Sequence, residues 1–144
     1  MLFLGFGMTA DIIIEKGNEI VLIKRMNEPY KGYWEVPGGF VEKDETVEEA
    51  AVREAKEETS LDVKLKEILG VYSDVKRDPR GRVATTVFIS EAIGGKLKAD
   101  SDAEDAKWID VNKIKLDSLA FDQSKMIRDY KRWKRQNGTY WSGK

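Results

Sequence analysis

Gly38 to Leu61, GGFVEKDETVEEAAVREAKEETSL, is a glycine pair, a short acidic loop and a charged segment that reads as one helix. Thr46-Val47-Glu48-Glu49 has the spacing of a capping box, with Thr46 capping and Glu49 reaching back, so the helix has a defined start. On that helix Glu54 and Glu58 fall four residues apart on one face, and Glu57 stands three residues from Glu54. Like charges at such spacing cost an isolated helix roughly 0.2–0.5 kcal/mol per pair, so the arrangement asks for solvent screening or a neutralising cation. A hard divalent metal suits it. Val47, Ala50, Ala51 and Ala55 make a stripe of small apolar side chains, which predicts that the helix lies close on a sheet and holds its carboxylate face at a fixed height. Glu49 and Arg53 stand at a favourable four-residue spacing for an ion pair.

Outward from this helix, Thr9 to Glu15 and Glu19 to Lys24 are β-branched runs separated by Lys16-Gly17-Asn18, the pattern of a hairpin. Ile12, Ile13, Ile14, Val21, Leu22 and Ile23 are nearly continuous rather than alternating, which predicts strands covered on both faces and a sheet between helices. A polar loop, Asn27 to Gly32, leads to Tyr33 and Trp34, whose rings are suited either to core packing or to stacking on a base. Val63 to Leu69 and Val83 to Ser90 read as strands, and Asp78-Pro79-Arg80-Gly81 between them has type I turn chemistry. Arg77, Arg80 and Arg82 around that turn make a compact cationic cluster suited to phosphate. Gly94-Gly95 reads as a turn, and Asp102, Glu104 and Asp105 precede a short strand at Lys107-Trp108-Ile109. Asp122 to about Arg135 reads as a helix with Phe121, Met126, Ile127, Tyr130 and Trp133 near one face, followed by a polar, frayed tail.

The 144 residues suit one domain, long enough to bury a real core. A formal charge of −1 with 35% charged residues of both signs gives no broad basic surface for nucleic acid and no polybasic tail for a membrane, so small-molecule partners are expected. There is no cysteine and no histidine. That excludes disulfides, Ser-His and Cys-His nucleophile systems and nearly every zinc site, leaving acid–base work to carboxylates, lysine, tyrosine or metal-bound water. The apolar N-terminal MLFLGFGM is short, lacks a preceding basic residue and runs into a strand, so neither a signal peptide nor a membrane span is expected, and the default location is cytoplasmic.

The central stretch resembles the Nudix box: glycine, five residues, glutamate, seven residues, Arg-Glu, an aliphatic residue, one residue, Glu-Glu, one residue, glycine and an aliphatic residue. Those places hold Gly39, Glu45, Arg53-Glu54, Ala55, Glu57-Glu58, Ser60 and Leu61. With about 7% usage at each of the six fixed positions, a chance match is of order one in ten million per window. Ala55 is small for the aliphatic place. Ser60 replaces the glycine that ends the box helix, and a non-glycine residue in the left-handed region costs roughly 1 kcal/mol. The Trp34-Glu35-Val36-Pro37-Gly38-Gly39 approach and the Trp108 strand before a helix fit the same family. Arg77-Asp78-Pro79-Arg80-Gly81 and Leu119-Ala120-Phe121-Asp122 look like its ADP-ribose pyrophosphatase group, although histidines often found after the glycine and the aspartate are here Arg82 and Gln123.

The resemblance implies an α/β (α+β) fold, an α/β/α sandwich with a mixed β-sheet between helices. It implies a hydrolase that cleaves the pyrophosphate of a nucleoside diphosphate derivative, foremost ADP-ribose to AMP and ribose 5-phosphate. A sanitising hydrolase of oxidised nucleoside triphosphates and a non-catalytic nucleotide sensor are the alternatives. It also implies a Mg2+ cofactor, with Mn2+ as substitute, held by Glu54 and Glu58 with Glu57 sharing a metal and the Gly39 carbonyl completing a site. Arg53 and Glu45 would orient those carboxylates. The general base would be a box glutamate, Glu54 or Glu57, or an acid of the Asp102 to Asp105 loop, with Glu104 preferred there. Arg25, Trp34 and Arg80 would hold phosphate or adenine. Related enzymes of this group are often homodimers whose partner completes the adenine pocket.

Overall fold

The two isoleucine- and valine-rich runs fix the centre of the sheet. In the computed structural model, which describes residues 5–98 and 106–144, they form β1 (Phe6–Lys16) and β2 (Glu19–Lys24), an antiparallel hairpin in which Glu15 faces Ile20 and Lys16 faces Glu19. The start of the apolar N-terminus and the acidic loop with Asp102, Glu104 and Asp105 lie outside the described residues. Next come β3 (Trp34–Glu35), β4 (Gly38–Phe40), α1 (Val47–Thr59), β5 (Leu61–Tyr72), β6 (Arg82–Gly95), β7 (Ala106–Asp110), two short 3-10 turns, α2 (Gln123–Gln136) and β8 (Tyr140–Trp141). The sheet runs β3-β2-β1-β6-β5-β8, with β4 pairing β1 and β7 pairing β2. It is mixed: β1 and β6 are parallel, as are β5 and β8, and the remaining pairs are antiparallel.

Side chains alternate across a strand, so a continuous apolar run must find cover on both sides. Ile12, Ile14, Val21 and Ile23 pack under Ala50, Ala51 and Ala55 of α1. Ile13, Ile20 and Leu22 point the other way, into a cluster with Met126, Ile127 and Tyr130 of α2. Two helices on opposite faces of one mixed sheet make the expected α/β/α sandwich. Each fully buried side chain of this kind contributes about 1.5–3 kcal/mol, so a charge placed at Ile13 would break the α2 face. Among the described residues no helix is long and apolar enough to cross a membrane.

Three expectations are corrected. Gly94-Gly95 is no turn: β6 continues through both, opposite Asp62 and Leu61, and the left-handed φ of Gly95, 79°, serves a close approach to the Ser60 carbonyl rather than a reversal. The C-terminal tail is not frayed. Tyr140 is 1% exposed and its strand joins β5 at Gly70, where any Cβ would collide with the Tyr140 carbonyl. Ser142 Oγ then accepts hydrogen bonds from the Ser73 and Asp74 amides at 2.8 and 3.1 Å, tying the end of the chain to the loop after β5. Phe121 leaves the apolar face of α2. It precedes the helix with φ 53° and turns its ring toward arginines, because Met126, Ile127 and Tyr130 already fill the core beneath the helix.

Candidate active site

The site is built on α1. Thr46 caps it as the sequence predicts: its Oγ1 accepts from the Glu49 amide at 3.1 Å, and Glu49 Oε1 accepts from the Thr46 amide at 3.0 Å. Glu49 is thereby committed to the cap, and the expected Glu49–Arg53 pair does not form. Arg53 has better partners. Its Nε and Nη2 donate to both oxygens of Glu45 at 3.0 and 2.6 Å, Nη2 also reaches the Phe40 carbonyl at 3.0 Å, and Nη1 donates to Glu54 and Glu57 at 2.9 and 3.2 Å. A planar five-donor fork satisfies three carboxylates at once, which no lysine reproduces. The hydrogen bonds from Arg53 hold the Glu45 carboxyl below the usual range, and those carboxylates in turn, Glu45 foremost, hold the guanidinium still more firmly protonated.

Glu58 points elsewhere. Its Oε1 accepts from the Gly38 amide at 2.8 Å, beside the strand pair β1–β4. The glycine pair permits β4 to pack closely against β1 and α1, since a Cβ on Gly38 would strike the Asp11 carboxylate and one on Gly39 the Glu54 carboxylate. The helix then ends at Ser60 with φ 64° and ψ 12°, in the left-handed region, its amide donating to the Lys56 carbonyl at 3.0 Å. The helix keeps the geometry that the usual glycine serves and accepts the strain of roughly 1 kcal/mol.

Beyond Glu58 opens a cavity of about 200 Å³. Asp11, Glu35 and Glu58 share its lining with Arg25, Arg77 and Arg80, and Arg25 and Glu35 are bonded to each other. Burial pushes the Asp11 carboxyl up to about 6 against the pull of Arg77 and of the Thr85 hydroxyl, which donates at 2.9 Å. Burial pushes Glu35 up to about 7 despite Arg25, which bonds it at 3.0 Å. Glu58 is raised well above the ordinary range, first by burial and then by the charge of Glu35, with the Gly38 amide opposing. Burial also raises Glu54, partly offset by Arg53. Of the arginines, Arg77 is clamped by both oxygens of Asp122 at 3.0–3.1 Å, and Arg80 bonds Asp78 at 2.8 Å.

A family model described as the NUDIX domain matches residues 5–130. The chain belongs to the Nudix family. It is 57% identical over 133 residues to an ADP-ribose pyrophosphatase of Methanocaldococcus jannaschii, covering 92% of this chain and 78% of the relative. The fold resembles that of a NUDIX hydrolase from Nitrosomonas europaea, with a TM-score of 0.81, 23% identity, and 96% of this chain and 78% of that one covered. It also resembles the NUDIX domain of NrtR from Shewanella oneidensis, solved in complex with ADP ribose, with a TM-score of 0.76, 25% identity, and 90% and 89% of the two chains covered.

Nudix enzymes generally use divalent metals, and the donor set of this Nudix site suits one. Every acidic donor is a carboxylate oxygen, the kind a hard cation takes, and the charged forms of Glu54 and Glu58 are disfavoured by burial in a way a cation would relieve. Among the described residues no three acidic side chains converge into one metal cluster. Arg53 holds Glu54 and Glu57, so a metal competes with Arg53 for them. Of the other residues singled out from sequence, Gly39, Arg25 and Arg80 line the cavity. Glu54, whose carboxylate lies against Gly39, and Glu57, with more than half of its side chain exposed, stand outside that lining. Trp34 packs against the core beneath α2, with Lys107 Nζ 4.1 Å from the centre of its ring. The compact arginine cluster is corrected. Arg82 lies over the Phe6 ring at 4.7 Å, outside the cavity lining, because side chains alternate along β6 and its neighbour Val83 is the one that faces the cavity. Sequence reasoning missed Asp11, Glu35, Phe121 and Gln123. Asp11 had a signal, as a lone charge inside an apolar strand. Gln123, standing where histidine is common, accepts the Val36 amide at 2.8 Å.

Proposed function

We propose that this Nudix protein hydrolyses the pyrophosphate of ADP-ribose to AMP and ribose 5-phosphate, using Mg2+, with Mn2+ as substitute. The observation that carries the reading is the cavity in which Glu58, Glu35 and Asp11 share a lining with Arg25, Arg77 and Arg80. The carboxylates suit a divalent cation and the arginines a multiply charged diphosphate. The high identity to the Methanocaldococcus jannaschii ADP-ribose pyrophosphatase selects ADP-ribose within that chemistry.

In this reading Glu54 and Glu58 would hold the cation, with Glu57 and the Gly39 carbonyl as further ligands. When bound, the cation neutralises phosphate oxygens and lowers the pKa of water. Arg53, locked by Glu45, fixes the rotamers of Glu54 and Glu57. A water oxygen bonds to one phosphorus as the bridging P–O bond breaks, and its proton passes to a carboxylate, Glu54 or Glu57 of the helix or Glu104 of the acidic loop. Arg25 and Arg80 bind the charge that builds on the departing phosphate. Incubation with ADP-ribose and Mg2+ should release AMP and ribose 5-phosphate in equal amounts, resolved by ion-exchange chromatography. Intact Mg2+ binding without AMP release overturns the proposal, and pyrophosphate release from nucleoside triphosphates in its place points to the sanitising activity.

A further inference from the structure

The arginines of the cavity come from distant parts of the chain. Arg25 follows β2, whereas Arg80 sits in the turn before β6, and their ion-pair partners differ: Glu35 for the first, Asp78 for the second. One side chain touches both. The Phe121 ring centre lies 5.0 Å from the guanidinium carbon of Arg25 and 5.7 Å from that of Arg80. Tyr30 backs the ring at 4.8 Å, on the side of a second cavity that Phe121 also lines. The backbone at Phe121 has φ 53°, a conformation that a bulky residue holds only where its surroundings over-determine it. The next residue, Asp122, is the clamp on Arg77. Two adjacent residues therefore address all three arginines of the cavity, one through a ring face and the other through a carboxylate.

A guanidinium lying over a ring spends its face on the π system, while its N–H donors lie in its own plane, where phosphate oxygens are recognised. Both guanidinium groups are already bonded to carboxylates, Arg25 to Glu35 at 3.0 Å and Arg80 to Asp78 at 2.8 Å, and the Phe40 ring also lies 5.3 Å from Arg80. Loss of the Phe121 face removes a ring contact common to both groups and lets each guanidinium plane turn about its carboxylate, away from the setting a diphosphate needs.

We infer that Phe121 is a positioning residue whose ring, held between Arg25 and Arg80, keeps both guanidinium groups set for a diphosphate and so determines affinity for that part of the substrate. The inference rests on the diphosphate reading of the cavity. It sets the residue apart from the carboxylates of α1, which act on the bond being broken.

The test is Phe121→Leu, which keeps apolar bulk and removes the π face, beside Phe121→Tyr, which keeps the face. KM for ADP-ribose should rise about fivefold in the leucine variant, equivalent to about 1 kcal/mol, with kcat within about twofold, and the tyrosine variant should return to within about twofold of wild type. In an Arg80→Lys background the leucine substitution should have less effect, because the pair acts as a unit. Binding of inorganic pyrophosphate, measured by calorimetry, should weaken about fivefold as well, and this readout needs no turnover. Phe121→Met replaces the leucine variant if near-ultraviolet circular dichroism shows the latter unfolded. Where the wild type does turn over ADP-ribose, an unchanged KM in Phe121→Leu, a fall in its kcat at constant KM, or full additivity with Arg80→Lys overturns the inference. A wild type that turns over no ADP-ribose, with pyrophosphate binding still weakened by Phe121→Leu, refutes the substrate and upholds the role of Phe121.

Discussion

Replacing Glu35 by glutamine should make the metal-free protein more stable at neutral and alkaline pH. The Glu35 side chain is only 14% exposed. Burial raises its carboxyl from 4.5 to about 7, with Arg25 opposing and Asp11 adding to the rise. For an acid raised in the folded state, the folded chain holds a proton that the unfolded chain has lost. The stability this lends is complete below pH 4.5 and disappears as the pH climbs through about 7. At 1.36 kcal/mol per pH unit, the whole effect is about 3 kcal/mol. Glutamine mimics the protonated acid and never ionises. The stability of Glu35→Gln relative to wild type should therefore climb by about 3 kcal/mol between pH 4.5 and pH 8, or roughly 10 °C in Tm for a chain of this length. Urea denaturation in the presence of chelator at half-unit pH steps measures the difference directly, and groups that titrate alike in both proteins cancel. Added Mg2+ should shrink the difference by compensating the wild-type charge. Parallel curves across this range, or a wild type that gains on the variant as pH rises, would refute the assignment of Glu35 as a carboxylate ionised at a cost.

Glu58→Gln keeps an acceptor for the Gly38 amide but removes a charge facing the cavity, so ADP-ribose turnover should fall by at least about 100-fold with the far-ultraviolet circular dichroism spectrum unchanged. Arg53→Lys retains the charge and loses the fork that grips Glu45, Glu54 and Glu57, and activity at fixed Mg2+ should drop about 10–100-fold, recovering in part at higher Mg2+. Ser60→Gly relieves the left-handed strain at the end of α1 and should raise stability by about 1 kcal/mol in urea titration. Tyr140→Ala empties a fully buried position and should cost about 3–5 kcal/mol, seen as a lower urea midpoint and faster cleavage of the tail by added protease.

What was legible in the sequence was local or periodic. The cap at Thr46, the small stripe at Ala50, Ala51 and Ala55 and the carboxylate spacing all lie within one helix, where the 3.6-residue period fixes relative directions. The continuous Ile12–Ile14 and Val21–Ile23 runs leave a strand no exposed face, so the layers followed. The cavity was less legible because distant segments build it. Arg77 and Arg82 are five residues apart, yet the first folds inward onto Asp122 and the second lies over Phe6. Nothing in their spacing says which carboxylate or ring will claim each one. The two residues of β8 are too few for a period, and their place depends on the missing Cβ of Gly70 and on a core opening that Tyr140 fills.

The crowded glutamates of α1 turn out to be neutralised unevenly, and the unevenness points to the chemistry. Arg53 supplies hydrogen bonds to Glu45, Glu54 and Glu57, of which Glu57 is more than half exposed and screened by solvent as well. Glu58, one residue further, faces inward and receives one backbone N–H, from Gly38, while burial and Glu35 both disfavour its charge. Of the three helix carboxylates crowded in the sequence, a guanidinium thus bonds Glu54 and Glu57, and the like-charge problem is left standing at Glu58, the one that lines the cavity. A cation placed between Glu58 and a diphosphate would relieve both at once. Coupling of that kind makes Mg2+ affinity rise when a diphosphate is present, and substitution at Glu58 should weaken that coupling more than substitution at Glu57, whose charge Arg53 already balances.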